Sequence, residues 1–123
     1  MIREKEIYDP IFRATINISF GPLSEVNKWY KKHDVIKGKI GRFGAYCEEV
    51  VDDDDFLFYH IHFDIYGFTT IVHETNHITF KVLNARGLKH TKQTEEVYCY
   101  YQDWLAGQCR DVLEKWTKKK RKI

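Results

Sequence analysis

Long apolar runs are missing from this chain. No stretch of its 123 residues approaches the roughly 18 consecutive apolar residues that a membrane-spanning helix needs, which excludes a transmembrane helix. The opening Met1-Ile2-Arg3-Glu4-Lys5-Glu6 lacks the apolar segment of a secretory signal, so a cytoplasmic location is expected, without membrane partners. Proline occurs only twice, and no segment is rich in Pro, Ser or Gln, so no linker is visible. Cysteine is scarce and odd in number: Cys47, Cys99 and Cys109 form no CxxC pair. That excludes a disulfide frame and a zinc knuckle, and all three are expected as reduced thiols packed in the core. Cys99 and Cys109 are ten residues apart on one predicted helix, about 15 Å along its axis, too far to chelate one ion together.

What is abundant is aromatic and apolar material. The chain is 43% hydrophobic and carries 8 Phe, 8 Tyr and 3 Trp, enough for a core in a single domain spanning 1–123. Net charge is +2, but unevenly distributed. The last nine residues, 115–123, hold six basic side chains and no acid, leaving residues 1–114 at −4. A nucleic-acid-binding domain spreads its cations over a folded face. Here they collect in a tail, 117–123, which reads as a solvated helix end; contact with nucleic acid through it is the less favoured alternative.

Phe12 to Phe20 alternates apolar and polar residues and stops at Gly21-Pro22, the pattern of a half-buried strand. Ser24 is a candidate cap for a short helix through Val26, Trp29 and Tyr30, followed by a loop at glycines 38, 41 and 44. Ala45–Val51 and Phe56–Phe63 are predicted strands joined across four aspartates, 52–55. Those acids lack the spacing, glycine and distal Glu of an EF-hand, so a solvated turn is expected. In the second strand Phe58, His60, His62 and Asp64 share one face, an unusually polar one.

From about Ile65 to Arg86 the period becomes helical. Ile71, Val72, Ile78, Val82, Leu83 and Ala85 wrap most of the circumference, which predicts a central, buried helix, stopped by Gly87. A loop leads to Thr94, a candidate N-cap, with Glu95 and Glu96 in the first turn of a last helix. That helix is expected to bury Val97, Tyr101, Trp104, Leu105, Val112 and Leu113. The predicted class is α+β: a small antiparallel sheet or hairpin packed on a central helix and a C-terminal helix.

The central helix contains His73-Glu74-Thr75-Asn76-His77, an HExxH motif. Four residues rise about 6 Å and nearly complete a turn, so His73 and His77 project from one face and can bind one Zn²⁺. Glu74 lies about 100° around the helix, suited to reach a water on the metal rather than the metal. A water acidified by zinc beside a carboxylate base is a hydrolytic nucleophile. Chance produces the motif in roughly one in fifty sequences of this composition, and its helical context adds weight.

Zinc needs a third protein ligand. The metzincin extension is excluded, because Phe80 and Leu83 occupy its glycine and third histidine positions. Glu95 and Glu96 remain, and Glu96 is favoured because the apolar stripe from Val97 needs it on its border. His90 is a rival ligand. Tyr100 and Asp103 share the face of Glu96, and Asp103 could orient a histidine ligand. His60 and His62 either line a substrate cleft, one donating to a developing oxyanion, or face the surface; the residues leave both open. Tyr98, Tyr100 and Tyr101 are further candidate donors, or packing aromatics.

These residues resemble a known group. Ile71-Val72-His73-Glu74-Thr75-Asn76-His77, Val82-Leu83-Asn84-Ala85-Arg86-Gly87, Glu95-Glu96-Val97-Tyr98-Cys99-Tyr100-Tyr101 and Trp104-Leu105 are similar to the small zincin-like metallopeptidases of bacteriophages and prophages, built as minimal gluzincins. The resemblance covers roughly residues 56–114. It implies that His73 and His77 bind zinc, Glu74 is the general base and Glu96 completes the site. Cys99 stands where alanine is expected. The implied function is zinc-dependent peptide hydrolysis in the cytoplasm, the host's if phage-encoded. The alternatives are an idle zincin-fold protein that binds a host factor, and a nucleic-acid-associated protein using the basic tail.

Overall fold

A computed structural model describes residues 2–22, 25, 45–52 and 54–118. The helix expected after Ser24, the glycine loop, Asp53 and the tail beyond Lys118 lie outside the described residues. The fold is α+β, and among the described residues it has four strands and two long helices in the order β1 (Arg3–Asp9), β2 (Ala14–Phe20), β3 (Ala45–Val51), β4 (Leu57–Phe63), α1 (Phe68–Ala85) and α2 (Glu95–Lys118). By its contacts the chain forms two compact units, Met1–Ile65 and Tyr66–Ile123.

The first unit is a four-stranded sheet ordered β1-β2-β4-β3. Strand β1 escapes sequence reading because Arg3, Glu4, Lys5 and Glu6 crowd its first half. Such charge suits an edge strand, where it deters pairing with other chains. Its turn into β2 is built by Asp9, whose Oδ1 accepts the Ile11 amide at 2.8 Å and the Phe12 amide at 3.3 Å. Arg13 then takes a left-handed backbone, φ 57°, and β1 pairs antiparallel with β2 from Asp9↔Ala14 to Arg3↔Phe20.

The hairpin across the aspartates forms as expected. β3 pairs antiparallel with β4. Asp52 Oδ1 accepts the amides of Asp54 and Phe56, so the first acid shapes the turn as an Asx-type side chain. One expectation about the sheet fails: β2 and β4 run parallel, making it mixed rather than antiparallel. Alternation of side chains carries no direction. Residues 21–56 between them supply the long crossover that a parallel neighbour requires.

Both faces of β4 are buried from Phe58 to Phe63. One sheet face is apolar, with Ile16, Ile18, Ile61 and Phe63 fully buried. The other carries Asn17, Ser19, His60 and His62, all buried as well.

The second unit is an antiparallel helix pair. Helix α1 ends as its glycine predicts: Gly87 has φ 81°, its amide reaches Asn84 O at 3.0 Å, and the Leu88 amide reaches Leu83 O at 2.9 Å. That is a Schellman stop, where a side chain at Gly87 would strain the left-handed backbone. Thr94 opens α2 through its carbonyl, which accepts the Tyr98 amide. Its hydroxyl turns back to Lys89 O and the Thr91 amide, closing the loop. Tyr98 meets Phe80 ring to ring at 4.9 Å and reaches Asn84 and the Leu88 carbonyl, while Gln102 donates to Val72 O at 3.1 Å.

Burial corrects several expectations. Helix α1 is not buried all round: Ile71, Ile78, Val82 and Leu83 are, whereas Val72 and Ala85 are exposed, with Phe68, His73, Asn76 and His77. A helix with two histidines and an asparagine on one side is amphipathic, and its polar side stays wet. On α2, Tyr101, Leu105, Val112 and Leu113 are buried, Val97 is half-buried, and Trp104 is exposed with its ring edge against Tyr101. Only Cys109 is a core thiol, its pKa pushed up to about 12 by burial; Cys47 is half-buried and Cys99 exposed.

Candidate metal centre and a buried histidine pair

The HExxH motif occupies the second and third turns of α1, and the helix splits its three residues. His73 and His77 lie on the exposed face, with Nε2 atoms 3.2 Å apart and rings edge-on at 4.8 Å between centroids. Glu74 projects about 100° round the helix from His73 and is only 7% exposed. Helical spacing sets the angle between them, and packing of the rest of the chain buries Glu74.

The nitrogen separation can be tested against a metal. Two imidazoles at about 2.0–2.1 Å from one tetrahedral zinc have nitrogens about 3.3–3.4 Å apart. The observed 3.2 Å fits two of its positions. Without metal, the same contact is a hydrogen bond in which one Nε2–H donates to the other ring. Metal binding requires both nitrogens deprotonated, so it competes with that proton.

The remaining candidates do not gather around this pair. Among the described residues, no group of three or more His, Cys, Asp or Glu side chains is placed to hold a metal ion. Glu96 is exposed in the first turn of α2. Two residues later Tyr98 engages Phe80, Asn84 and Leu88, which puts the head of α2 beside the last turns of α1, beyond His77. Glu95 is exposed at the same end. His90 packs instead on Phe80 and Tyr98, at 5.2 and 4.7 Å between ring centroids. Asp103 and Tyr100 are exposed on α2, and no hydrogen bond joins Asp103 to either histidine among the described residues.

His60 and His62 fit neither role considered for them. Both are 0% exposed, so they neither face solvent nor line an open cleft. They flank Ser19 on the polar sheet face. Ser19 Oγ lies 2.7 Å from His60 Nε2 and 2.7 Å from His62 Nδ1, and His62 Nε2 lies 3.0 Å from Gly21 O. Beyond His60, Nδ1 stands 3.7 Å from Glu48 Oε2.

Chemistry fixes the direction of this chain. A carbonyl oxygen only accepts, so His62 carries its proton on Nε2 and offers a lone pair at Nδ1. Ser19 therefore donates to His62, and its oxygen accepts from His60 Nε2–H. Burial lowers the His62 pKa to about 4, helped by the neighbouring His60 and opposed by the Gly21 hydrogen bond. Glu48, His60 and Ser19 stand in the order of a serine-hydrolase triad, but the 3.7 Å between Glu48 Oε2 and His60 Nδ1 is longer than a hydrogen bond. The proton order also contradicts that use: the serine proton is directed to His62, too weak a base to activate a nucleophile, and Ser19, His60 and His62 are all 0% exposed.

Sequence reasoning missed Ser19 and Glu48 because they belong to other strands. The signal that finds them is register: Ser19 pairs with His62, and Glu48 with His60. No family model, curated protein or solved structure matches this chain. No helix among the described residues is long and apolar enough to cross a membrane.

Proposed function

We propose that this chain is a zinc-dependent metallopeptidase with a minimal zincin-like fold. In it His73 and His77 hold the metal, Glu96 completes the protein ligands, and Glu74 is the general base. The observation that carries the reading is the 3.2 Å separation of the two Nε2 atoms on an exposed helix face, next in sequence to a buried carboxylate.

Zinc, when bound, supplies positive charge that polarises a substrate carbonyl and acidifies water. The chain's own residues do the rest. His73 and His77 fix the site on a regular helix, which holds their spacing without a loop. Glu74, one residue after His73, takes the proton of the attacking water and returns it to the leaving amine. For Glu96 to join the histidines, the head of α2 must close towards His77 on metal binding.

The experiment is metal analysis and peptide cleavage on wild type and Glu74→Gln. Zinc bound by both proteins, with cleavage by wild type alone, is the expected result. Absence of zinc from wild type at neutral pH refutes the reading.

The second reading keeps the metal and drops the chemistry: an idle zincin-fold protein that binds a host factor. It is favoured by Glu74's low exposure and by the lack of a third ligand near the pair among the described residues. Stoichiometric zinc without cleavage of any member of a broad peptide library selects it. Nucleic-acid binding through the tail stays the least supported reading, and loss of salt-sensitive DNA binding on deleting residues 117–123 is its test.

A further inference from the structure

The exposed face of α1 is unlike the rest of this chain. Charged residues make up 31% of the sequence, yet none of the exposed residues of α1 is charged. Of the two charged residues of α1, Glu74 is buried and Lys81, one turn past His77 on the same side, is half-buried. What the face shows instead is Phe68 at 79% exposure, Val72, Asn76 and the two histidines. Phe68, Val72 and Asn76 stand one turn apart in a row beside His73 and His77. Depletion of charge around exposed apolar and aromatic side chains is the composition of an interface core.

The histidines have an unmet need on the same face. They provide two nitrogens at the spacing of adjacent ligands, and a tetrahedral zinc has four positions. Among the described residues the chain brings no third donor to them.

From these two observations we infer that the α1 face is a zinc-bridged interface between two copies of this chain. His73 and His77 of each copy supply one half of a four-histidine site. A two-fold axis through the metal turns one pair into four ligands, using the same patch on both chains. The exposed stretch from Phe68 to His77 carries no charge, which lets two identical helices approach there without like-charge repulsion, and Phe68 and Val72 lose exposed apolar surface as they meet. The inference rests on the reading that His73 and His77 hold a metal. It adds a regulation to it: four imidazoles leave zinc no open position, so the dimer is the closed, resting form and the monomer the form able to take substrate.

The test uses the full chain, zinc as the added metal, and two readouts: binding stoichiometry by calorimetry and molar mass by light scattering. Expected are one zinc per two chains and a doubling of mass, both reversed by chelator. Cobalt in place of zinc should give the visible absorption of a tetrahedral nitrogen site at the same stoichiometry. His73→Ala should abolish metal uptake and the mass change together. Phe68→Lys keeps every ligand but puts a charge on the face; it should weaken the dimer about tenfold or more and move the stoichiometry towards one zinc per chain. One zinc per chain with the mass unchanged in wild type overturns the inference while leaving the metal reading intact. No uptake at all overturns both. A zinc-induced dimer that survives His73→Ala, or is untouched by Phe68→Lys, places the contact elsewhere and overturns the inference.

Discussion

His77 Nε2 lies 3.2 Å from His73 Nε2 across one turn of an exposed helix face, while the carboxylate between them in sequence is buried. Local geometry therefore sets two nitrogen donors side by side, and in the proposed metal site a third would come from a movement or from another molecule.

Because both imidazoles are exposed, removing either should cost little stability. His73→Ala and His77→Ala are expected to shift unfolding by no more than about 0.5 kcal/mol in the absence of metal. Zinc affinity should fall at least a hundredfold in each. Titration with a fluorescent zinc indicator, beside urea unfolding of the same samples, separates the two effects.

Glu74→Gln should leave zinc uptake within about twofold of wild type and lower the turnover of any cleaved peptide by about 10²–10⁴, the range for loss of a general base. Equal cleavage by both proteins would remove Glu74 from the chemistry.

The buried His62 sets a pH dependence of folding. Its pKa falls from 6.5 to about 4 on folding. The unfolded chain thus takes up a proton that the folded chain refuses. The neutral ring's contribution is complete above pH 6.5 and is lost as pH falls through 4, amounting to about 3 kcal/mol. Urea midpoints measured from pH 7 to 4 should decline for wild type, and His62→Gln should show a shallower decline over the same window.

Ser19→Ala withdraws the hydroxyl that joins the two histidines and leaves two buried ring nitrogens without that partner. The expected loss is about 3 kcal/mol at pH 7, since each abandoned buried polar group costs about 1–3 kcal/mol. If a change at Ser19 altered peptide cleavage more than folding, the structural role assigned to the row would be wrong. A thermal or urea unfolding curve beside an activity assay decides this.

Much of the architecture is readable in the residues. Alternation marks β2 and β4, the aspartates mark the hairpin, and Gly87 marks the end of α1, because each reports a local backbone preference. β1 is hidden by charges that suit an edge strand. Wrapping of apolar residues around α1 overstated its burial, since a count of apolar positions does not show which side meets a neighbour.

The sequence alone determined the histidine pair. An i, i+4 spacing on a helix puts His73 and His77 side by side whatever the rest of the chain does, because 3.6 residues complete a turn. It could not determine where Glu96 would stand, which depends on how the α1–α2 pair is registered. Tyr98 fixes that register at the far end of α1, through contacts with Phe80, Asn84 and Leu88. Nor could it show that His60 and His62 are buried. Their partners, Ser19 and Glu48, arrive from strands 41 and 12 positions away in the chain, through a parallel and an antiparallel pairing. Helical spacing is a property of neighbours in sequence; strand direction and helix register are settled only when distant segments pack.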